Sequence, residues 1–189
     1  MKDHFVGHPP AVPPRLLNAR TVAEIRADDR SRRQHIELTF DTPSRVRISL
    51  WVWTPDVAGP FPLLLLAPRH YQMGWAELAL KRGYKLCLFP GVDSHQREAA
   101  YPRFDSQWTA FHGEYPESTW SEIVTKAWLA GRCLDYLLDE KYGHQINPQQ
   151  VGIIGQSRYG KAAMIAGAID ERFTCVVARS PGSPGNSPY

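Results

Sequence analysis

The stretch that most narrows what this chain can fold into is VGIIGQSRYGKAAMIAGAIDERF, residues 151–173. Its first five residues, VGIIG, form a short apolar run of the kind found in a strand covered on both faces. A few residues later, KAAMIAGAI at 161–169 reads as a helix of small side chains, able to lie close on a sheet. Gly155 and Gly160 bracket the joint, and Ser157 and Arg158 stand at it. A buried strand that turns directly into a buried helix belongs to an α/β architecture, with helices laid over a sheet.

The rest of the chain agrees with that class. QHIELTF at 34–40 and RVRISLWVW at 45–53, joined by a turn at 42–44, predict an antiparallel hairpin. In the second segment Val46, Ile48, Leu50 and Val52 share one face, and Arg45, Arg47, Ser49, Trp51 and Trp53 the other. FPLLLLA at 61–67 and YKLCLFPG at 84–91 predict further buried strands. A helix over 74–83 lies between them, with Lys81 and Arg82 in its last turn and Gly83 just past its end. Residues 92–117 have no clear period and are read as a long loop. A helix over 120–141 carries the apolar stripe Ile123, Ala127, Ala130, Leu134, Leu137 and Leu138, and FTCVVA at 173–178 predicts a last strand. The expected fold is a mostly parallel sheet with helices on both faces, ending after its sixth strand. Residues 1–33 are read as a proline-rich arm and linker, and 34–189 as an incomplete catalytic-type domain. The strand at 173–178 would then be an open, apolar edge that invites association.

Composition excludes little but excludes it clearly. A net charge of +3 over 189 residues gives no case for nucleic acid. The densest charge patch, RADDRSRR at 26–33, mixes signs and reads as a solvated face. The N-terminus lacks the apolar core of a signal peptide, and no apolar run is long enough to span a membrane. Cys87, Cys133 and Cys175 have no paired spacing and are expected as buried free thiols. No metal-ligand cluster, phosphate loop or dinucleotide fingerprint is present, so no metal or cofactor is expected.

In α/β sheets the chemistry sits where strands end and helices begin, which directs attention back to Ser157. A serine hydroxyl needs a base in reach and donors aimed at the developing oxyanion. A tight strand-to-helix turn lifts the hydroxyl clear of the sheet and offers unpaired N–H groups at the helix start. The structural alternative is a serine N-cap. Arg158 and Lys161 weigh against that alternative, because cations sit poorly at the positive end of a helix dipole unless an anion joins them.

These residues resemble a family. GQSRYGKAAMIAGAIDERF is similar to the G-x-S-R-x-G-K segment, followed by A-G-A-x-D-E-R and Phe or Ile, of glucuronoyl esterases and related bacterial acetylxylan-esterase-like α/β-hydrolases. KAWLAGRCLDYL at 126–137 resembles the W-x-x-x-R-x-x-D-Y-L pattern that precedes it, and FVGHPP a worn Y-G-x-x-P segment. The resemblance implies an α/β-hydrolase fold, Ser157 as nucleophile, Arg158 as oxyanion stabiliser and Lys161 as a sugar contact. It gives no cofactor, a small-molecule or polysaccharide ester as substrate, and relatives that are often exported. Gln156 replaces the family's common cysteine. Ser180 falls about where a triad glutamate would stand.

The resembling fold places its triad in the order serine, acid, histidine, yet all seven histidines precede Ser157. His70 ends the LLLLAPRH run and belongs to the oxyanion or substrate side; a structural loop role is its alternative. His95 and His112 fall in the long loop. Asp170 and Glu171 lie at the far end of the helix, at about 1.5 Å of rise per residue, and are expected to pair with Arg172. The base is therefore expected outside this chain. Tyr71, Trp75, Tyr101, Trp108, Phe111 and Tyr115 crowd the segments near the strand ends, as sugar-stacking surfaces or as ordinary packing. Three functions stay open: a carbohydrate-ester hydrolase, a general carboxylesterase or acyl-peptidase-like enzyme of the same fold, and a non-catalytic binding protein or inactive fragment.

Overall fold

A computed structural model describes residues 7–68, 70–91 and 107–182; the side chains of His70, Tyr71 and Trp108 are not described. Seven strands form one sheet in the order β1-β2-β3-β5-β4-β6-β7. Their bounds are β1 Leu16–Arg26, β2 Arg32–Phe40, β3 Arg47–Thr54, β4 Phe61–Leu66, β5 Lys85–Leu88, β6 Ile146–Gln156 and β7 Cys175–Arg179. The helices are α1 His70–Lys81, α2 Trp108–Glu114, α3 Glu122–Leu137 and α4 Arg158–Ile169.

The sheet has two halves. β1, β2, β3 and β5 pair antiparallel in sequence, and β5, β4, β6 and β7 pair parallel. The sheet is thus evenly mixed. The strand that tips the balance is β1, which lies inside the stretch read above as arm and linker. Most of β1 is exposed, so its sequence lacks the alternation that would announce it. With β1 counted, 173–178 supplies the seventh strand and not the sixth.

Alternation along the strands sends two sets of side chains to two cores. Val46, Ile48, Leu50, Leu63, Leu65, Val151 and Ile153 meet α2, α3 and α4 through Phe111, Trp128, Leu129, Tyr159 and Ala163. On the opposite face Trp51, Trp53, Leu66, Leu86 and Leu88 meet α1 through Met73, Ala76 and Leu80. The Trp-bearing face of β3 is therefore covered too. His35 stacks on Trp51 at 5.1 Å, and the Arg33 guanidinium lies 4.0 Å from the Trp53 ring.

α1 does not reach across the whole face. Between it and β6–β7 runs a groove of about 540 Å³ lined by Trp75, Leu78, Ile154, Gly152, Cys175 and Val177. This makes β7 an exposed apolar edge, with Val176 and Val177 38% and 44% exposed. It also corrects one expectation: Cys87 and Cys133 are buried, but Cys175 is exposed, because nothing among the described residues covers that side of β7. The described part of the long unpatterned stretch holds one short helix, α2. Among the described residues no helix is long and apolar enough to cross a membrane.

Candidate active site

Ser157 stands between β6 and α4 with φ 56° and ψ −130°. L-residues rarely adopt positive φ, and single residues held there outside glycine cost of order 1–3 kcal/mol. The local steric reason is plain. A Cβ on Gly155 would lie 2.2 Å from the Tyr159 carbonyl oxygen, and one on Gly160 would lie 3.0 Å from the Gly155 oxygen. The turn is closed so tightly that a side chain at 155 is excluded and one at 160 would crowd the backbone, with Ser157 at its apex. The Ser157 N–H donates to the Arg179 carbonyl at 2.9 Å, and its own carbonyl accepts from Lys161 N–H at 3.0 Å, opening the helix.

The serine N-cap alternative can be checked directly. A capping serine has extended backbone and accepts from an N–H of the first turn. Ser121 at the start of α3 does so, with φ −78°, ψ 161° and a bond from Val124 N–H. Ser157 holds the equivalent position on α4, yet its hydroxyl makes no capping bond. The side chain is exposed, and the first N–H groups of α4 remain without intrahelical partners, as at any helix start. Arg158 and Lys161 are carried on the same first turn.

Behind the joint, α3 fixes α4 in place. Lys126 is buried and ion-paired with Glu122, and its ammonium lies 5.3 Å from the ring centroid of buried Tyr159. At the far end of α4, Arg172 binds Asp170 through bonds of 2.8 and 2.7 Å. It also binds Asp135 at 2.8 Å and the Gly131 carbonyl at 2.9 Å. Burial opposes ionisation of Asp170, but the bonds from Arg172 still hold its carboxyl below the usual range. Burial wins at Asp135, whose pKa is raised despite Arg132 and Arg172. This is the helix-end cluster expected for Asp170. It uses Arg132, Asp135, Asp170 and Arg172 structurally; Glu171, also expected to pair with Arg172, is exposed and stands outside the cluster.

The other candidates are dispersed. His70 and Tyr71 begin α1 at the carboxyl end of β4, the strand next to β6. Trp108 begins α2 beside β3, where Ser49 N–H donates to the Gln107 side chain. That is three strands from β6, about 14 Å at ordinary strand spacing. Phe111 is wholly buried against Phe40 and Trp128, so it is core and not a sugar platform. Tyr115 packs edge-on to Trp120 and Trp128. His112 stacks on Trp120 at 5.2 Å and shares a 2.7 Å bond with Thr125, and burial holds its pKa down. His95 and Tyr101 lie outside the described residues. Among the described residues no group of three His, Cys, Asp or Glu side chains could hold a metal ion.

One rim residue carried no sequence signal. Arg179 ends β7 in register with Gln156 and reaches toward α1, its guanidinium 6.0 Å from the Trp75 ring centroid. No motif marks it; β6–β7 pairing alone brings it to the serine. Ser180 follows it with φ 45°.

A sheet of this order, with a serine thrust out at positive φ between two glycines, defines an α/β-hydrolase. Comparison with known proteins narrows the class. Residues 41–189 match the family described as glucuronyl esterase, fungi. A 4-O-methyl-glucuronoyl methylesterase of Cerrena unicolor is 30% identical over 136 residues, covering 71% of this chain and 26% of the relative. A promiscuous esterase from a marine bacterial metagenome superposes with a TM-score of 0.68 at 18% identity, over 95% of this chain and 55% of the other. The glucuronoyl esterase of Sporotrichum thermophile, solved with methyl 4-O-methyl-β-D-glucopyranuronate, superposes at 0.64 with 17% identity, over 97% and 45%. The chain belongs to the glucuronoyl esterase family. It spans about a quarter of that curated relative and about half of the solved structures.

Proposed function

We propose that this chain carries the nucleophile side of a serine carboxylic-ester hydrolase acting on a glucuronoyl ester of a carbohydrate. Ser157 Oγ attacks the ester carbonyl while a general base takes its proton. The N–H groups at the start of α4, with Arg158, stabilise the oxyanion. The alkoxy group leaves with a proton, and water then releases the acid from the acyl-serine. Lys161 contacts the sugar ring from the first turn of α4, and the starts of α1 (His70, Tyr71) and α2 (Trp108) form the more distant walls.

One observation carries the reading: Ser157 occupies a helix N-cap position in a strained conformation without capping the helix. A structural serine has no use for that strain, whereas a nucleophile that must stand clear of its sheet does. The ligand of the Sporotrichum thermophile structure, a methyl glucuronate, favours the uronoyl ester over other esters. His35, His112 and His144 are committed to packing, and neither the base nor the acid of a triad is assigned among the described residues.

The test is hydrolysis of methyl 4-O-methyl-glucuronate by the full chain, with and without Ser157→Ala. Loss of turnover together with loss of fluorophosphonate labelling at Ser157 is expected. Full turnover by the Ser157→Ala variant overturns the assignment.

A further inference from the structure

The proline-rich stretch before β1 forms part of a second concave surface. With α3 and the end of α4 it encloses a cavity of about 570 Å³. Pro9, Pro10, Pro13, Trp128 and Ile169 give this cavity apolar walls, and His8, Arg132 and Asp170 are its polar lining. Proline rings fix their own backbone, so the outer wall is stiff. The volume suits a small organic molecule. The cavity lies at the far end of α4 from Ser157, twelve residues and about 18 Å along the helix axis.

Arg132 is the unusual part of the lining. It is 6% exposed. Its Nε lies 3.0 Å from Asp135 Oδ2, its Nη2 3.4 Å from Asp135 Oδ1, and its Cζ 4.8 Å from the Trp128 ring centroid. Nη1 is buried with no hydrogen-bond partner. Buried polar atoms of Gln72, Trp120 and His144 share that state, but those side chains do not line this cavity and are neutral at pH 7. An unmade bond costs more on a charged group than on a neutral one. Burial already pulls the Arg132 pKa below the usual guanidinium value, against Asp135 and Asp170.

The surroundings select the missing acceptor. Charges here are balanced: Arg132 and Arg172 face Asp135 and Asp170, and both Asp170 oxygens accept from Arg172. A carboxylate entering the cavity would bring an unbalanced buried charge to a wall that Asp170 already lines. A neutral oxygen completes the guanidinium without that cost.

We propose that this cavity is a second ligand site, taking a neutral molecule with an apolar ring and one carbonyl or ether oxygen that accepts from Arg132 Nη1. The ring packs on the prolines and Ile169. The site is separate from the reading of Ser157 and does not depend on it.

The experiment titrates the full chain with acetophenone, with ethylbenzene, which has the same shape and no acceptor, and with benzoate. Amide shifts are followed by NMR. Acetophenone should shift Trp128, Gly131 and Asp170 and bind about tenfold more tightly than ethylbenzene, as one bond from a charged donor gives. It should also bind more tightly than benzoate. Ile169 is 43% exposed, so Ile169→Trp should fill the cavity from its rim and abolish binding. Arg132→Met should bring acetophenone down to the level of ethylbenzene. Equal affinity for acetophenone and ethylbenzene in the unaltered chain overturns the proposal. So does a preference for benzoate, binding that shifts only other residues or survives Ile169→Trp, or no binding of any probe at millimolar concentration. Should either variant not fold, the three probes on the unaltered chain still decide.

Discussion

The two helices that pack against each other, α3 and α4, each begin at a serine, and the two serines are put to different uses. Ser121 adopts extended backbone and accepts a bond from Val124 N–H, so the first turn of α3 is satisfied from within. Ser157 adopts φ 56°, caps nothing and leaves its hydroxyl exposed. α3 is buried along nearly its whole length and ends near a packed cluster of Tyr136, Tyr142 and His144. α4 has a greasy underside but an exposed start. The difference teaches where stability is placed and where it is given up: α3 is the clamp, and α4 is held by it in a position it would not choose alone.

That contrast can be broken most severely at Gly155. Replacing it with alanine drives a Cβ into the Tyr159 carbonyl, and a loss of about 3 kcal/mol in urea unfolding is expected. An unchanged midpoint would show that the turn opens freely and that Ser157 is not under constraint.

A change of similar size is expected from acid, at the α3 side. Burial, then Lys85 and Arg32, push the pKa of His144 down to about 4. The unfolded chain therefore takes up this proton first as pH falls. Stability is full above about 6.5 and declines toward pH 4, by on the order of 3 kcal/mol for this group. Urea midpoints between pH 7 and pH 4 should follow that slope and flatten in a His144→Gln variant. An equal slope in the variant would assign the effect elsewhere.

A smaller change of opposite sign is expected at Ser157. Glycine adopts positive φ without penalty, so Ser157→Gly should raise stability by about 1 kcal/mol while removing the proposed nucleophile. A loss instead would mean that the hydroxyl supports the fold. The smallest effect falls on its counterpart: Ser121→Ala should cost about 1 kcal/mol or slightly less. If both serines proved destabilising to remove, the two helix starts would be alike after all.

The features legible in the sequence were those written in local sterics and periodicity. Gly155 and Gly160 reported the tight turn because a Cβ is excluded at the first and crowded at the second, and Val46, Ile48, Leu50 and Val52 reported a buried face because strands alternate. The Asp170–Arg172 pair was readable from its distance along the helix. β1 was not, since an exposed edge strand needs no apolar rhythm. α2 is a single short helix whose aromatic residues serve the core, so Phe111 was hard to tell from a ligand surface. Arg179 could not be read from any motif, because its place beside Ser157 is created by the pairing of two strands.

The order of those pairings has a consequence in time. β1, β2 and β3 are neighbours in sequence as well as in the sheet, so this meander closes through short loops. β4 must instead wait for β6, with Leu63 meeting Val151 across α1, β5, α2 and α3. Such long closures come late and slowly. During synthesis the meander can form while the elbow is still unmade, and Ser157 takes up its strained position only when the last parallel strands zip against β4. The geometry around Ser157 thus forms after the meander, and a chain stalled partway carries the antiparallel strands without the elbow.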